Sequence, residues 1–177
     1  MMSRKAAKFC RESRTIRTSL VLPPDTNNYG TMFGGRVMFH IDDIAAIAAT
    51  RHARTSVVTA STDSVDFLNP IRNGQTVCLE AFASWAHRTS VEVFVKVVAE
   101  DMLSGERTVC ATSFLTFVAL DINGEKQMVP EVIPETELEK FLFAGAPERA
   151  RERLAKREQS KDLAERFGAG SLWHQHP

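Results

Sequence analysis

The amino-acid sequence predicts an α+β fold in which one antiparallel sheet wraps a single buried helix. Three observations lead there. Residues 33–54 are apolar almost all round, the four runs that follow switch to a period of two, and the links between those runs are too short for crossover helices.

Residues 15–21 alternate apolar and polar side chains until Pro23 and Pro24 end them, which reads as a first strand leaving into the loop Asp25-Thr26-Asn27-Asn28-Tyr29-Gly30. The stretch 33–54 has few β-branched residues, many alanines and a Gly34-Gly35 start, so it reads as a helix. Val37, Met38, Ile41, Ile44, Ala45, Ile47, Ala48 and Ala49 leave little of its circumference polar, which predicts burial. Strands rich in Val, Thr, Phe and Ser follow at 56–67, 76–87, 90–100 and 107–120. Asn69-Pro70, Asn73-Gly74, Arg88-Thr89 and Ser104-Gly105 punctuate them as hairpin-length links, and Asn123-Gly124 closes a final turn. A sheet with one helix on its concave side has another face to cover, and oligomerisation is expected to cover it.

After Pro134 a short helical segment reaches about residue 143, a break is expected at 145–147, and 148–167 is dominated by Arg, Glu, Lys and Ala. Its few apolar residues, Leu154, Leu163 and Phe167, bury little, so it reads as a solvated helix laced with charge pairs. The expected organisation is one domain over 13–133 and a charged helical tail over 134–177.

A chain of 177 residues supports one core. Its 22 Lys and Arg balance 22 Asp and Glu, which removes the basic excess of a protein that coats nucleic acid or an acidic membrane. No apolar run approaches the roughly 20 residues that span a bilayer, and the basic start lacks a signal peptide's apolar centre, so the expected location is cytoplasmic. Cys10, Cys78 and Cys110 are odd in number and widely spaced, pointing to neither a disulfide framework nor a zinc knuckle. His174 and His176 sit in a terminal Trp-His-Gln-His-Pro and offer no ligand set, so no metal is expected.

Two features carry chemistry. Asp42 and Asp43 interrupt the most apolar helix, where an ionised carboxylate is costly to bury. At helical spacing Asp42 shares a face with Met38, Ala45, Ala46 and Ala49, a small-residue stripe with room for a ligand, while Asp43 points elsewhere with Phe39 and Ile47. Ahead of the helix, Asp25 to Asn28 read either as turn and capping residues or as a polar group orienting a substrate oxygen beside free helix-start N–H groups.

Asp25-Thr26-Asn27, Gly30, Phe33-Gly34-Gly35, Met38 and Asp42, then Val58-Thr59-Ala60, Asp63, Asp66-Phe67, Pro70 and Gly74, resemble the acyl-CoA thioesterases of the hotdog superfamily. The resemblance is strongest to the branch with bacterial YciA-type hydrolases and mammalian brain acyl-CoA hydrolase. It extends over about 16–130, including Arg88-Thr89-Ser90 and Phe114-Leu115-Thr116-Phe117-Val118, and leaves the tail outside. It implies a hotdog fold, a double hotdog dimer whose sheets join, assembly of dimers into a hexamer as a trimer of dimers, and active sites at the dimer interface. By the same resemblance Asp42 matches the catalytic carboxylate and Asn27 the loop asparagine that acts with it from the neighbouring subunit.

A thioester is an activated carbonyl, so Asp42 need only deprotonate water as general base or attack directly as nucleophile, and an apolar setting would make it a stronger base. The sequence leaves both routes open. Backbone N–H groups of Gly34, Gly35 and Arg36 are the oxyanion candidates, because glycine admits close approach. Arg88-Thr89-Ser90 resembles the family's coenzyme A contact region, and Asn69 and Arg72 are further candidates for coenzyme A binding. Coenzyme A is expected as part of the substrate and product, with no other cofactor. Thr31 departs from the Asp or Asn of several relatives, and Tyr29 and Phe39 are bulkier than expected, which bears on substrate size.

Two other readings compete. A hotdog hydratase needs a histidine where Gly30 stands, and His40 is too close along the helix to replace it. A domain that senses acyl-CoA or a nucleotide without turnover needs no reactive carboxylate, and the presence of both Asn27 and Asp42 argues against it.

Overall fold

The computed structural model describes residues 6–168; 1–5 and 169–177, with His174 and His176, lie outside the described residues. The elements are β1 (Lys8–Phe9), β2 (Thr15–Leu20), α1 (Gly34–Ala53), β3 (Ser56–Phe67), β4 (Thr76–His87), β5 (Ser90–Glu100), β6 (Arg107–Leu120), β7 (Val132–Ile133) and α2 (Glu137–Phe167). Strands β2 to β6 form one antiparallel sheet in the order β2-β4-β5-β6-β3, while β1 and β7 pair in parallel beside it.

Helix α1 buries one stripe, Val37, Ile41, Ile44, Ala45, Ala48 and His52, against the sheet. Burial all round is not what the chain shows. Phe33, Met38, Phe39 and Ile47 stay well exposed, Phe39 at 60%, because at 100° per residue they fall outside that stripe. The helix ends at Arg54, whose left-handed φ of 54° turns its N–H back to the Thr50 carbonyl at 2.8 Å.

Strand β3 forms one edge of the sheet, and its register with β6 slips between Thr59 and Ser61 and again between Thr62 and Ser64. Such bulges twist an edge and re-aim its side chains. A third irregularity lies in β6, where Val97 pairs with Ala111 and Val98 with Val109, so Cys110 is the extra residue.

The sheet's second face is covered in part by the chain itself. Thr59 bonds to α1 and pairs with Phe117, so Phe117 faces the helix and Phe114 faces away with its partners Phe94 and Phe82. On that outer face the Arg14 guanidinium lies 5.0 Å from the Phe82 ring centroid and pairs with Glu80 and with buried Glu139. Glu139 also accepts from the Glu135 and Thr136 N–H groups at 2.8 and 3.0 Å, while its own N–H donates to Thr136 Oγ1, a reciprocal cap on α2. Oligomerisation is therefore not needed to cover all of this face.

The expected break at 145–147 is absent: α2 continues through Pro147. Proline leaves the Phe143 carbonyl without its usual donor, and flanking helix formers outweigh that single loss. The chain divides into compact units at 1–143 and 144–177, ten residues later than the 133/134 boundary read from sequence, since Leu142 and Glu139 are buried in the first unit. Among the described residues no helix is long and apolar enough to cross a membrane.

Candidate active site

Asp42 lies in the third turn of α1 on the exposed side, at the margin of the buried stripe. This corrects the apolar setting expected for it: Ala45 and Ala49 of its face are buried, but Met38 is open. Thr59 Oγ1 on β3 donates to Asp42 Oδ1 at 3.0 Å, which fixes one carboxylate oxygen and leaves Oδ2 without a protein donor among the described residues. Neighbouring Asp43 points away and takes a 2.6 Å hydrogen bond from Arg17 Nη1 on β2. The two adjacent carboxylates thus have separate duties, as the 100° helical step requires.

Asn27 is locked into its own loop. Its Oδ1 accepts from Tyr29 N at 2.9 Å and Thr31 N at 3.3 Å, and its Nδ2 donates to Thr31 Oγ1 at 3.0 Å. Gly30, at φ 70°, supplies the left-handed turn that returns its N–H to the Asn27 carbonyl. The loop delivers the chain to Phe33, the N-cap of α1, which makes no side-chain cap.

The amides of Gly34 and Gly35 donate to no group among the described residues, as the first turn of an uncapped helix should. Arg36 differs from expectation: its N–H donates to the Phe33 carbonyl at 2.8 Å, and its Nε reaches Asp25 Oδ1 at 3.1 Å. A tightened first turn has consumed that donor, so Gly34 and Gly35 remain the open pair. Two hollows flank this helix start. One, of about 250 Å³, is lined by Gly34, Val37, Phe67 and Asn69 among others, and one of about 400 Å³ by Asp25, Phe33, Gly35, Arg36 and Phe39.

The residues expected to bind coenzyme A do not form one cluster. Asn69 spends its Nδ2 on the Val109 carbonyl at 2.9 Å, and Arg72 bridges Thr31 beside the Asn27 loop. Arg88-Thr89-Ser90 forms the β4–β5 turn, where Arg88 has φ 42° and its carbonyl accepts from Val129 N at 2.8 Å. The length of β4 separates Arg72 from Arg88, roughly 40 Å for its 12 residues.

Comparison with known proteins identifies the architecture. The thioesterase superfamily model matches residues 29–106. An acyl-CoA thioester hydrolase of Bacillus subtilis, itself uncharacterised, is 51% identical over 172 residues, covering 97% of this chain and all of that one. The chain belongs to the acyl-CoA thioester hydrolase family. Its helix wrapped by a five-stranded antiparallel sheet is the hotdog fold of that family. The acyl-CoA hydrolase of Staphylococcus aureus, solved with butyryl coenzyme A, coenzyme A and coenzyme A disulfide, superposes with TM-score 0.87 at 45% identity, covering 91% of this chain and 98% of that one. Variants of the S. aureus enzyme with alanine for one aspartate, one threonine or one asparagine superpose equally well, at TM-scores of 0.88, 0.87 and 0.89. An apo-hexameric acyl-CoA thioesterase gives TM-score 0.84 at 49% identity, covering 86% and 97%.

Within one subunit of this thioesterase, Gly34 and Asp42 are eight residues apart on α1, about 12 Å along the axis. No hydrogen bond joins Asn27 to Asp42 among the described residues, so each half of the pair addresses a different place. Sequence reading quoted Thr59 without giving it a role; its link to Asp42 crosses 17 positions and two elements, and a local pattern cannot carry that. Its signal was a threonine on a strand expected to pack on the helix that bears Asp42.

Proposed function

We propose that this chain hydrolyses acyl-CoA thioesters to a carboxylic acid and coenzyme A, with Asp42 and Asn27 acting in one site from two subunits. The observation that carries the site is the Thr59–Asp42 hydrogen bond, which leaves Asp42 Oδ2 open on the exposed side of α1. The aspartate, threonine and asparagine replaced in the S. aureus enzyme are the same three residue types.

The 12 Å between Gly34 and Asp42 is too long for one carbonyl to meet both within a subunit. A second copy docked on the exposed Phe33, Met38, Phe39 and Ile47 face supplies Asn27 and the unpaired Gly34 and Gly35 amides beside the first copy's Asp42. Water loses a proton to Asp42 Oδ2 and attacks the thioester carbon, or Oδ2 attacks and water then cleaves the anhydride. In either route the carbonyl oxygen gains charge against the glycine N–H groups and the C–S bond breaks, the departing thiolate taking its proton from Asp42 in the first route and from water in the second. Arg88, Thr89 and Ser90 are proposed to meet the nucleotide end of coenzyme A, and Asn69 and Arg72 to frame the opposite end of the sheet. A hexamer is the assembly we propose, after the apo-hexameric relative. Cytoplasmic residence fits the free thiols of Cys10, Cys78 and Cys110.

Thiol release from acyl-CoAs tests this directly. Asp42→Asn is expected to lose about a hundredfold or more in kcat, while still binding coenzyme A. Near wild-type turnover in that variant would refute the assignment, and binding without turnover in the wild type would favour the sensor.

A further inference from the structure

The chain between β6 and β7 forms a strap in which consecutive residues bond different parts of the fold. Val129 N donates to the Arg88 carbonyl in the β4–β5 turn at 2.8 Å, the Pro130 carbonyl accepts from His52 Nε2 at the end of α1 at 2.9 Å, and the Glu131 carbonyl accepts from Lys8 N in β1 at 2.9 Å. Pro130 has no N–H, so its carbonyl is its only backbone hydrogen-bonding group, and a side chain takes it. An apolar residue at position 52 would fill the space with no polar atom to satisfy. The His52 imidazole is instead fully buried, with Nδ1 lacking a partner among the described residues, which is costly. Packing does not account for a histidine here; the bond to the strap does.

At the other end of the strap, Arg88 holds φ 42°, the left-handed region that a side chain disfavours. Such a conformation persists only where its surroundings hold it. The turn has two residues, Arg88 and Thr89, and each is held by its carbonyl: Thr89's accepts from Ala119 N at 2.9 Å, and Arg88's from the buried Val129. The run from His52 through Pro130 and Val129 to Arg88 is therefore continuous.

From this geometry we infer that His52 is a positioning residue for coenzyme A, holding the Arg88 turn, through Pro130 and Val129, in the shape that meets the nucleotide phosphates. The inference rests on the reading of Arg88 given above and adds the buried group that sets it. His52 stands ten residues beyond Asp42 on α1, about 15 Å along the axis, so its effect belongs to binding and not to the chemical step. A turn that keeps its binding shape for only a fraction of the time weakens apparent affinity by that fraction.

The experiment compares butyryl-CoA with butyryl-pantetheine, which has the same thioester and no nucleotide, in the wild type, His52→Asn, His52→Gln and Arg88→Ala. A glutamine amide reaches the place of Nε2 and an asparagine amide only that of Nδ1, so Gln keeps the bond to Pro130 and Asn loses it. His52→Asn is expected to raise KM for butyryl-CoA about three- to tenfold with kcat within about twofold, the range set by one net hydrogen bond. Its kcat/KM for butyryl-pantetheine should match wild type, and His52→Gln should restore KM for butyryl-CoA. Hydrogen exchange of the wild-type Val129 amide should slow when coenzyme A binds, because coupling is reciprocal, and this readout stands even if the Asn variant misfolds. Equal loss on both thioesters, no rescue by Gln, or a Val129 amide indifferent to coenzyme A would overturn the role of His52. Unchanged KM for butyryl-CoA in Arg88→Ala would instead overturn the reading of Arg88, and no turnover of either thioester by the wild type would overturn the hydrolase itself.

Discussion

Asp42 is one oxygen short of free. Thr59 holds its Oδ1 at 3.0 Å, and a hydrogen bond to a charged group contributes about 1.5–3 kcal/mol. If Thr59 positions the carboxylate, Thr59→Ala should lower kcat roughly ten- to hundredfold with KM nearly unchanged, and Thr59→Ser should restore it; a change confined to KM would place Thr59 elsewhere. His52 makes a different statement. Its Nε2 must be the protonated nitrogen, because the Pro130 oxygen 2.9 Å away only accepts, and its buried Nδ1 has no partner. Burial pushes this imidazole below its ordinary value, with the Pro130 bond opposing and Lys8 adding to the shift. The folded chain thus keeps His52 neutral while the unfolded chain takes up a proton near pH 6.5. Its stabilisation is complete above that pH and is lost as pH falls through 6.5 toward the lower folded value. His40 shifts the same way, through burial and then Arg17 and Arg36. Melting temperature should therefore drop between about pH 7.5 and 5.5, and less steeply in His52→Gln, which can still donate to Pro130; an unchanged slope would clear His52 of the effect.

Among the elements, the strands and α1 were legible, but α2 was not, nor was the pairing of β3, which joins β6 at the sheet edge and not β4 through the hairpin expected at 68–75. Residues 56–67, 76–87, 90–100 and 107–120 form strands with those bounds, because alternation and two-residue turn chemistry are local signals. The bulges at Ala60, Asp63 and Cys110 were invisible, since register belongs to a pair of strands and not to either one. Gly145 and Pro147 read as a break, yet helix α2 runs through them from the cap at Thr136. That cap has a tertiary partner: Glu139 closes the helix start and takes a 2.8 Å hydrogen bond from Arg14 Nη2 beneath the outer sheet face. Breaking a buried pair from one side costs about 3–5 kcal/mol, so Glu139→Ala should destabilise the first unit by about 3 kcal/mol, measured by urea unfolding. A loss under about 0.5 kcal/mol would show that Glu139 only caps a surface helix.

At the scale of the whole molecule, the sequence singled out Asp42 by its discord with an apolar helix but misjudged where that apolarity is spent. One stripe of α1 is buried by the chain's own sheet; the other is left open, with Phe39 at 60% exposure and Ile47 at 42%. A single chain cannot reveal that a helix apolar on two sides serves two bodies, because periodicity counts apolar faces and not their partners. The open stripe carries Asp42, while Gly34 lies about two turns away on α1, so in the two-subunit site proposed above the contact that covers Phe39 also brings Asp42 to the glycine amides of the second copy. Phe39→Glu places a charge in that contact without touching Asp42, Thr59, Asn27 or the glycines. Burying the unpaired carboxylate is costly, so the variant should shift toward monomer in light scattering at micromolar concentration. Turnover should fall with it to roughly a tenth of wild type or less, recovering as protein concentration rises, since mass action restores the dimer. A monomer that kept full activity at every concentration would mean that one subunit holds a complete site, and the 12 Å between Gly34 and Asp42 would then have to be closed by movement within the chain.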